Sequence, residues 1–563
     1  MKCPLSSHQE RLWFIDQFET GNVYPASPTY HNLPLLLHGR GVVEVAALTA
    51  ALGALVARHG ALRTQIATES AGPVQLVLDH LELPVTERTL RPGTDLTAAI
   101  EAAAEEAQKP FALATDALVR AALLRFGTDE FVFVATLHHL IADRPSLRLL
   151  AEEFAQLMRA TREDRAPALP VPELHYADYS EWQRSLPADA LEPLLFYWKW
   201  QLRGKVPVLE LPSARPRPAI HTFTAARHAV CLDAALAGEV RDFAVRAQSG
   251  PAAVTLAAFK ILLHRYARQD EILVGTSEPC RRQPGAGRLV GPVANLVALR
   301  SQLGGNPSFR AAVNAVASTL GQAREHQEMP FDSLVRVLRP ENDMSRTALF
   351  DVLFGHDEAP PPMLDLGRGA TAQLVDTNLG FGKYDLNLAL QARADGSLAG
   401  TLVYNADLHD EWFIAQFVQH FERLLRAGLA QPDTGIDHLP LLSPAEESRL
   451  ISGWNETDAL LPEGCVHELF EVQVERSPEA AAVVFEKEVL TYGELNARAN
   501  QLARALIDFG VGPDEPVAVA LERSPVMVVA LLATLKSGGA YVPLDPEYPV
   551  ERLGFMLSDS GAR

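Results

Sequence analysis

The chain has 563 residues, 48% of them apolar and 21% charged, so it is long enough for several domains and too apolar to be mainly disordered. Its formal net charge of −20 argues against nucleic acid as a partner. No apolar run approaches the roughly 20 residues that span a bilayer and no secretory signal opens the chain, so a soluble protein of the cytoplasm is expected.

The first part of the chain alternates helical and strand patterns. Residues 42–66 begin as an amphipathic helix rich in Ala and Leu and continue as a strand, and a second helix ends before Pro110. Residues 131–137 (FVFVATL) are short, apolar throughout and rich in β-branched and aromatic types, which predicts a buried strand. A helix is predicted to follow after a short loop.

The remainder predicts a second alternating region and a separate C-terminal unit. Residues 162–187 are polar and rich in proline, which indicates a crossover between two lobes. Strands are predicted at 272–276 and 296–300, and a linker at 443–465. Beyond that linker, a helix is predicted from Tyr492 to Gly510, with a capping box at its start and glycine at its end.

The strongest chemical signal is the segment His138-His139-Leu140-Ile141-Ala142-Asp143 at the end of the predicted buried strand. Successive strand residues point to opposite faces, so only one of the two imidazoles is expected to enter a given cleft. A histidine at a strand end suits proton handling on an amine or thioester. Asp143, which opens the next helix, is expected to act as its N-cap or to hold the loop through an arginine.

Other reaction classes lack their sequence patterns. The chain has no Gly-x-Ser-x-Gly elbow, no phosphate-binding P-loop, no Gly-x-Gly-x-x-Gly after a strand and no His-Glu-x-x-His. The four cysteines lie far apart, which favours neither a disulfide framework nor a metal site, and no metal is expected.

The His-His-x-x-x-Asp segment resembles the core motif of nonribosomal peptide synthetase condensation domains, which are related to chloramphenicol acetyltransferase. Companion segments that resemble other motifs of this family occur in the same order along the chain: Ser6–Phe14, Arg58–Thr64, Tyr176–Gln183, Val290–Val297, His326–Phe331, Ser345–Phe350 and Lys383–Leu386. The C-terminal segments Leu490–Leu495 and Leu535–Asp545 resemble the first two motifs of an adenylation domain.

The resemblance implies an α/β (α+β) fold with two chloramphenicol acetyltransferase-like lobes that form a V around a central tunnel, followed by a truncated adenylation-domain fragment. The expected divisions are an N-lobe at 1–180, a C-lobe at 181–442, a linker at 443–465 and the partial adenylation domain at 466–563.

The resemblance also implies that an acyl donor and an amino acceptor enter the tunnel from opposite faces, each on a phosphopantetheine arm. His139 would position or deprotonate the amine that attacks the donor thioester, and the sequence leaves both roles open. His138 and Asp143 would be structural. Asp143 would pair with Arg281, with Arg63 as second choice, while a solvated loop charge is the alternative for Arg281.

No cofactor is expected on the condensation domain itself. Coenzyme A or the phosphopantetheine of a carrier protein would bring the acyl group, and the adenylation fragment would be unable to use ATP. The expected partners are an acyl-CoA or acyl carrier donor, a downstream aminoacyl carrier protein domain and the rest of the synthetase.

One position departs from the family pattern, because Arg144 stands where the family usually has glycine. Three outcomes are compatible with this change: an outward side chain, contact with an anionic part of a donor or pantetheine arm, or a narrowed acceptor channel. Ser146, Arg148 and Asn295 complete the tunnel candidates. Arg148 has a solvated helix face as its alternative, and Asn295 a role in bracing the backbone.

The motif-bearing region begins within the first residues of the chain, which favours a starter domain that transfers a fatty acyl group from coenzyme A or an acyl carrier. An elongating domain that joins two aminoacyl groups is the near alternative. The alternative from another class is a degenerate, non-catalytic module that recruits a partner enzyme. Arg144 favours that module, and the intact His138, His139 and Asp143 argue against it.

Overall fold

The computed structural model describes residues 1–20, 27–70, 72–338, 343–377 and 379–563, apart from the side chain of Ala188. The chain divides into two compact units, Met1–Glu447 and Ser448–Arg563. In the described part of the chain, no helix is both long and apolar enough to cross a membrane.

The first unit contains helices that pack against two large sheets. These helices are α1 (Ser7–Glu19), α2 (Val45–Arg58), α3 (Leu96–Ala107), α4 (Arg144–Arg162), α5 (Tyr176–Ser185), α6 (Glu192–Gln201), α7 (Ala234–Arg246), α8 (Pro251–Ala267), α9 (Phe309–Glu325), α10 (Phe331–Leu338) and α11 (Glu411–Ala430), with α12 (Pro444–Ile451) at the division between the units.

The strands of the first unit form one small and two six-stranded sheets. They are β1 (Lys2–Pro4), β2 (Asn32–Arg40), β3 (Thr64–Glu69), β4 (Gly72–Val77), β5 (Val85–Thr89), β6 (Val119–Arg125), β7 (Glu130–His138), β8 (Ala225–Leu232), β9 (Glu271–Glu278), β10 (Asn295–Gln302), β11 (Val352–Asp357), β12 (Met363–Gly367), β13 (Ala370–Val375), β14 (Leu386–Ala392) and β15 (Leu398–Asn405). The first sheet has the order β12-β13-β2-β7-β6-β5, the second has the order β10-β9-β11-β14-β15-β8, and the small sheet has the order β1-β4-β3.

Strand β7 is apolar throughout because helices cover both faces of the first sheet. Phe131 and Phe133 pack in a core with α2 and α4, whereas Val132 and Val134 pack with α3 on the opposite face. Alternate residues of one strand are therefore buried on opposite sides. The predicted buried strand at this position is confirmed.

The second sheet is covered on one face and lines a cleft with the other. Leu388 and Leu402 pack against the core that contains α8, while Ala389 and Val403, one residue further along β14 and β15, line the cleft. The predicted strands at 272–276 and 296–300 lie in β9 and β10.

The lobes are interleaved, and the predicted C-lobe of 181–442 includes two strands of the first sheet. After β11 the chain leaves the second sheet, forms the hairpin β12–β13, and returns as β14. Strand β13 pairs antiparallel with β2 of the first sheet, with Leu374 opposite Leu37. The second half of the chain therefore supplies two strands to the first sheet, and we call residues 363–375 the crossing hairpin.

The predicted crossover at 162–187 contains a helix. In α5, Ser180 donates a hydrogen bond to the carbonyl of Pro4 at 2.6 Å, and Arg184 donates one to the carbonyl of Leu5 at 2.7 Å. This helix is thus attached to the first strand of the chain, and the predicted lobe end at residue 180 falls inside it. The predicted linker at 443–465 likewise begins with α12.

The second unit contains short strands packed with helices. Its elements are α13 (Val466–Arg476), β16 (Ala481–Phe485), β17 (Glu488–Thr491), α14 (Tyr492–Asp508), β18 (Pro516–Val519), α15 (Pro525–Lys536), β19 (Ala540–Pro543) and α16 (Val550–Ser560). The predicted capping box is present at the start of α14, where the side chain of Thr491 accepts a hydrogen bond from the backbone of Glu494.

Candidate active site

A large cleft of about 2130 Å³ lies in the first unit, and His139 lines it. We call this space the central cleft. His138 is the last residue of β7 and is fully buried, whereas His139 is partly exposed. The backbone N–H of His139 donates to the carbonyl of His31 at 2.9 Å, which fixes the chain where it leaves the sheet. The two imidazoles are thus separated, as the strand alternation predicts.

His138 holds the turn that follows the strand. Its Nδ1 accepts a hydrogen bond from the backbone N–H of Leu140 at 3.1 Å, and its ring packs edge-on against Phe111, 6.1 Å between centroids. Burial, together with the charge of Lys383, lowers the pKa of His138 to about 3. This imidazole is therefore neutral at physiological pH.

His139 is also held in its neutral form. Burial lowers the pKa of His139 well below its usual range, and the nearby His8 and Lys383 lower it further. The ring of His8 lies edge-on to that of His139, 5.1 Å between centroids. A neutral imidazole in the cleft can accept a proton or a hydrogen bond.

Asp143 connects the start of α4 to a loop from the second half of the chain. One carboxylate oxygen accepts from the backbone and hydroxyl of Ser146, at 2.9 and 2.6 Å, and from Arg281 Nη2 at 2.7 Å. The other accepts from the backbone N–H groups of Val293 and Ala294, at 3.0 and 2.8 Å. Asp143 is therefore both an N-cap and an ion-pair partner, and it brings together residues about 150 positions apart.

The partner of Asp143 is Arg281, the residue that the sequence favours. Its side chain is 10% exposed and also donates to the carbonyl of Leu289 at 3.2 Å. Arg63 lies elsewhere, because its guanidinium donates to the backbone carbonyls of Val56 and Leu78. Arg281 is thus a buried link and not a solvated loop charge.

Two predicted tunnel residues do not line the central cleft. Ser146 is fully buried, and its hydroxyl, which donates to Asp143, accepts a hydrogen bond from the backbone N–H of Gly291 at 3.1 Å. Asn295 donates to the carbonyls of Gln327 and Met329 and accepts from the backbone N–H of Phe331. Their polar groups are occupied by these contacts, so both residues brace the backbone, which is the alternative that the sequence leaves open for Asn295.

Two predicted arginines do line the central cleft. Arg148 lies 3.3 Å from Glu152 and 3.5 Å from Asp357, so two carboxylates neutralise it. Arg144 is 74% exposed and its nearest carboxylate is Asp376, at 4.0 Å. Its side chain therefore lies at the solvent-exposed edge of the central cleft.

The Tyr176 ring leaves room only for glycine at position 291, beside the site. A Cβ atom on Gly291 would lie 1.9 Å from Cδ2 of the Tyr176 ring. The Tyr176 hydroxyl in turn lies 2.7 Å from Ser6 Oγ and donates to the carbonyl of Pro292 at 3.2 Å. Helix α5 and the start of the chain therefore lie against the loop that holds Asp143.

The sequence did not indicate which basic side chains lie around His139. His8, His31 and Lys383 come from three distant parts of the chain and line the same cleft. Lys383 Nζ lies 3.4 Å from His31 Nδ1 and 5.4 Å from the centroid of the Tyr30 ring. His8 and Lys383 lie inside segments that resemble family motifs, but nothing in their spacing predicts their approach to His139.

Comparison with known proteins identifies the family. The condensation domain model matches residues 1–451, and the AMP-binding enzyme model matches residues 470–563. One of the linear gramicidin synthase subunits of Brevibacillus parabrevis is 37% identical over 99% of this chain, which spans only 11% of that protein. Tyrocidine synthase 3 of the same organism is 35% identical over the whole of this chain, which spans 8% of it.

Solved structures share the fold. A four-domain nonribosomal peptide synthetase bound to AMP and glycine has a TM-score of 0.88 at 20% identity, over all of this chain and 43% of that one. The X-domain from teicoplanin biosynthesis has a TM-score of 0.68 at 26% identity, over 78% of this chain and 97% of that one. Because the family model matches most of the sequence, the chain belongs to the condensation domains of nonribosomal peptide synthetases, which form amide bonds, and it continues into the first part of an adenylation domain.

Proposed function

We propose that this condensation domain joins an acyl group, delivered as a thioester, to the amino group of an aminoacyl carrier, with His139 as the residue that holds the amine. The observation that carries the proposal is the separation of the two imidazoles. His138 is buried in the turn, and of these two imidazoles only that of His139 lines the central cleft.

The proposed reaction step forms one bond, breaks one bond and moves one proton. The amine nitrogen attacks the thioester carbonyl carbon, the C–N bond forms, and the C–S bond breaks to leave a thiolate. The proton lost by nitrogen passes to the imidazole and then to the sulfur. Because burial and nearby charges keep the pKa of His139 low, the ring is neutral and can accept either the proton or a hydrogen bond that orients the amine.

The donor that we propose is a fatty acyl group carried on coenzyme A or on the phosphopantetheine of an acyl carrier. The support comes from the apolar side chains that the second lobe presents to the central cleft, which suit an apolar chain. They are Leu273, Leu296, Val335 and Leu353. An elongating domain that receives an apolar aminoacyl group would use the same surface, so the donor has to be tested directly.

The first experiment tests the imidazole. Amide formation between a thioester donor and an aminoacyl carrier should fall by about 10²- to 10⁴-fold in His139→Val. The matched control is His80→Val, which changes an exposed histidine that lies outside the central cleft. Equal amide yields from the wild type and His139→Val would contradict the proposal.

The second experiment tests the donor. Octanoyl-CoA and an aminoacyl carrier are offered separately to the same acceptor, and the two amide products are separated by mass. Product from octanoyl-CoA supports the starter function. Product from the aminoacyl carrier alone would contradict the starter function and leave the role of His139 intact.

A second candidate function is recruitment of a partner enzyme. One observation favours it: a solved complex of the teicoplanin X-domain with OxyB has a TM-score of 0.67 at 26% identity to this chain. The open cleft with His139 at its surface favours catalysis. If the wild type forms no amide with any donor, recruitment becomes the better explanation.

A further inference from the structure

A second imidazole, that of His8, packs directly against the imidazole of His139. The two ring centroids lie 5.1 Å apart and the ring planes meet at 89°, so the contact is edge-on. His8 is the second residue of α1, more than a hundred positions before His139 in the chain, and both residues line the central cleft. The proposed reaction step does not use His8.

The start of α1 is attached to the turn that carries His139. Ser6 is the N-cap of the helix, and its hydroxyl accepts a hydrogen bond from the backbone N–H of Gln9 at 3.2 Å. The side-chain amide of Gln9 donates to the carbonyl of Leu140, the residue after His139, at 2.9 Å. Ser6 and Gln9 are fully buried. The backbone of His8, which lies between them, is therefore held in place beside the turn.

The backbone of His139 is held from both sides as well. Its own N–H donates to the carbonyl of His31 at 2.9 Å, and the N–H of Leu140 donates to the ring of His138 at 3.1 Å. The strand end and the start of α1 thus fix the separation of the two side chains. Rotation of the His139 ring is the main motion that these backbone contacts leave free.

The side chain of His8 has little other work in the fold. Its Nε2 is buried and has no hydrogen-bond partner in the part of the chain that the structure describes. Burial, together with the charges of Arg11 and Lys383, lowers the pKa of His8 to about 3, so the ring is neutral and forms no ion pair. The contact that the His8 side chain makes with His139 is therefore one of ring against ring.

We propose that His8 is a positioning residue that fixes the orientation of the His139 ring. A neutral imidazole carries its N–H and its lone pair on different nitrogens, so turning the ring changes which of them faces the amine. Rings in contact prefer edge-on or offset arrangements, and this preference resists such a turn. The inference rests on the proposed function in taking His139 as the residue that holds the amine.

The first test measures amide formation by the full chain carrying His8→Ala. Its kcat should fall about fivefold, the population ratio that one ring contact supplies, while KM for the aminoacyl carrier stays the same because only the orientation of the reacting group changes. His8→Phe keeps a ring at this position and should retain kcat within about twofold. Equal losses in both variants would overturn the proposal, because the nitrogens of His8 would then be what matters.

The control and the folding check use further variants. His80→Ala changes an exposed histidine outside the central cleft and should leave kcat unchanged. Each variant is compared with wild type by thermal unfolding. If His8→Ala does not fold, His8→Val replaces it, because this change also removes the ring.

A second test observes the ring itself by nitrogen NMR of the full chain with labelled histidine. The signals of His139 are those that disappear in His139→Val. A ring held in one orientation keeps one nitrogen protonated, because its two nitrogens have different surroundings. Wild type and His8→Phe should show this pattern, and His8→Ala should show averaged signals. Averaged His139 signals in wild type would overturn the proposal.

Two further outcomes separate this inference from the proposed function. In a His139→Val background, His8→Ala should cause no further loss of amide, since a residue that acts through His139 has nothing left to position. A further fivefold loss there would overturn the inference. If His139→Val forms as much amide as wild type, the proposed function fails, and the nitrogen signals still decide whether His8 fixes the ring.

Discussion

Adjacent histidines have different environments in this protein. His138 completes the turn after β7 and makes its hydrogen bond to the backbone, while His139 reaches the central cleft. Lys383 lies near both rings and lowers the pKa of each. Burial lowers the pKa of Lys383 itself to about 8, so it remains largely protonated at neutral pH. The charge beside the imidazole of His139 is therefore part of what keeps that ring neutral.

Replacing Lys383 with methionine should raise the pKa of His139. A positive charge disfavours the imidazolium form, so its removal should move the acidic limb of the pH profile of amide formation to higher pH. The measurement is kcat/KM against pH. Lys383→Arg keeps the charge and should leave the limb in place; an equal shift in both variants would contradict the electrostatic explanation.

Lys260 shows the same effect of burial in the core of the second lobe. Its ammonium is fully buried and donates to the Leu299 carbonyl at 2.7 Å and to Ser301 Oγ at 2.8 Å. Burial lowers the pKa of Lys260 to about 7. Above that pH the folded chain has released a proton that the unfolded chain keeps up to its ordinary pKa of about 10.5, so stability rises with pH between these values.

Lys260→Met should remove this pH dependence. Compared with the variant, wild type should gain about 2 kcal/mol of unfolding free energy between pH 7 and pH 9. Urea unfolding at both pH values measures the change. Lys199→Met, on the exposed surface of α6, is the control. If the unfolding free energies of wild type and Lys260→Met differ by the same amount at both pH values, Lys260 is not the source of the pH dependence.

At the scale of elements, the start of α4 depends on the loop that faces it. Asp143 accepts hydrogen bonds from its own helix and from Arg281, Val293 and Ala294. The helix N-terminus and the loop therefore hold each other, and His139 lies on the short connection before them.

Asp143→Ala should destabilise the first unit by about 3–5 kcal/mol, because it leaves the buried Arg281 without its carboxylate. Urea unfolding measures this loss. Asp143→Asn keeps an acceptor for the helix cap and should cost less. The double variant with Arg281→Ala should cost less than the sum of the single changes, and strict additivity would show that the pair is not coupled.

At the scale of the whole molecule, the crossing hairpin joins the two lobes. Arg162, at the end of α4, donates to the carbonyls of Leu366 and Gly367, at 3.3 and 2.5 Å, and to that of Val42 at 2.6 Å. Gly367 has φ +80°, a conformation that favours glycine, where the hairpin turns close to α4. One buried guanidinium thus fixes the hairpin to the first lobe.

Arg162→Ala should leave these carbonyls without their donor and cost about 3 kcal/mol of stability. Hydrogen exchange should show lost protection in β12 and β13, with β14 less affected. Arg165→Ala, which removes an exposed ion pair with Glu163, is the control and should cost less than about 1 kcal/mol. Equal losses in the two variants would show that Arg162 does not secure the hairpin.

Local sequence patterns determined much of the secondary structure of this protein. Strand β7, the break between α2 and β3 and the capping box of α14 depend on residues that are close in the chain, and the structure agrees with what those patterns predict. The opposite orientations of His138 and His139 also follow from the two-residue period of a strand. The prediction that Arg281 pairs with Asp143 has a different basis. It rests on the position of Arg281 after a strand and on the family resemblance, and not on the periodicity of a strand or helix.

Only the tertiary structure decided the surroundings of the site. Ser146 and Asn295 look like cleft residues in sequence, but their polar groups are taken up by backbone atoms from distant loops. The crossing hairpin likewise joins residues more than a hundred positions apart. The hydrophobic period and the turn residues of a segment carry no information about such long-range contacts. These contacts depend on how the sheets and loops pack after each element has formed.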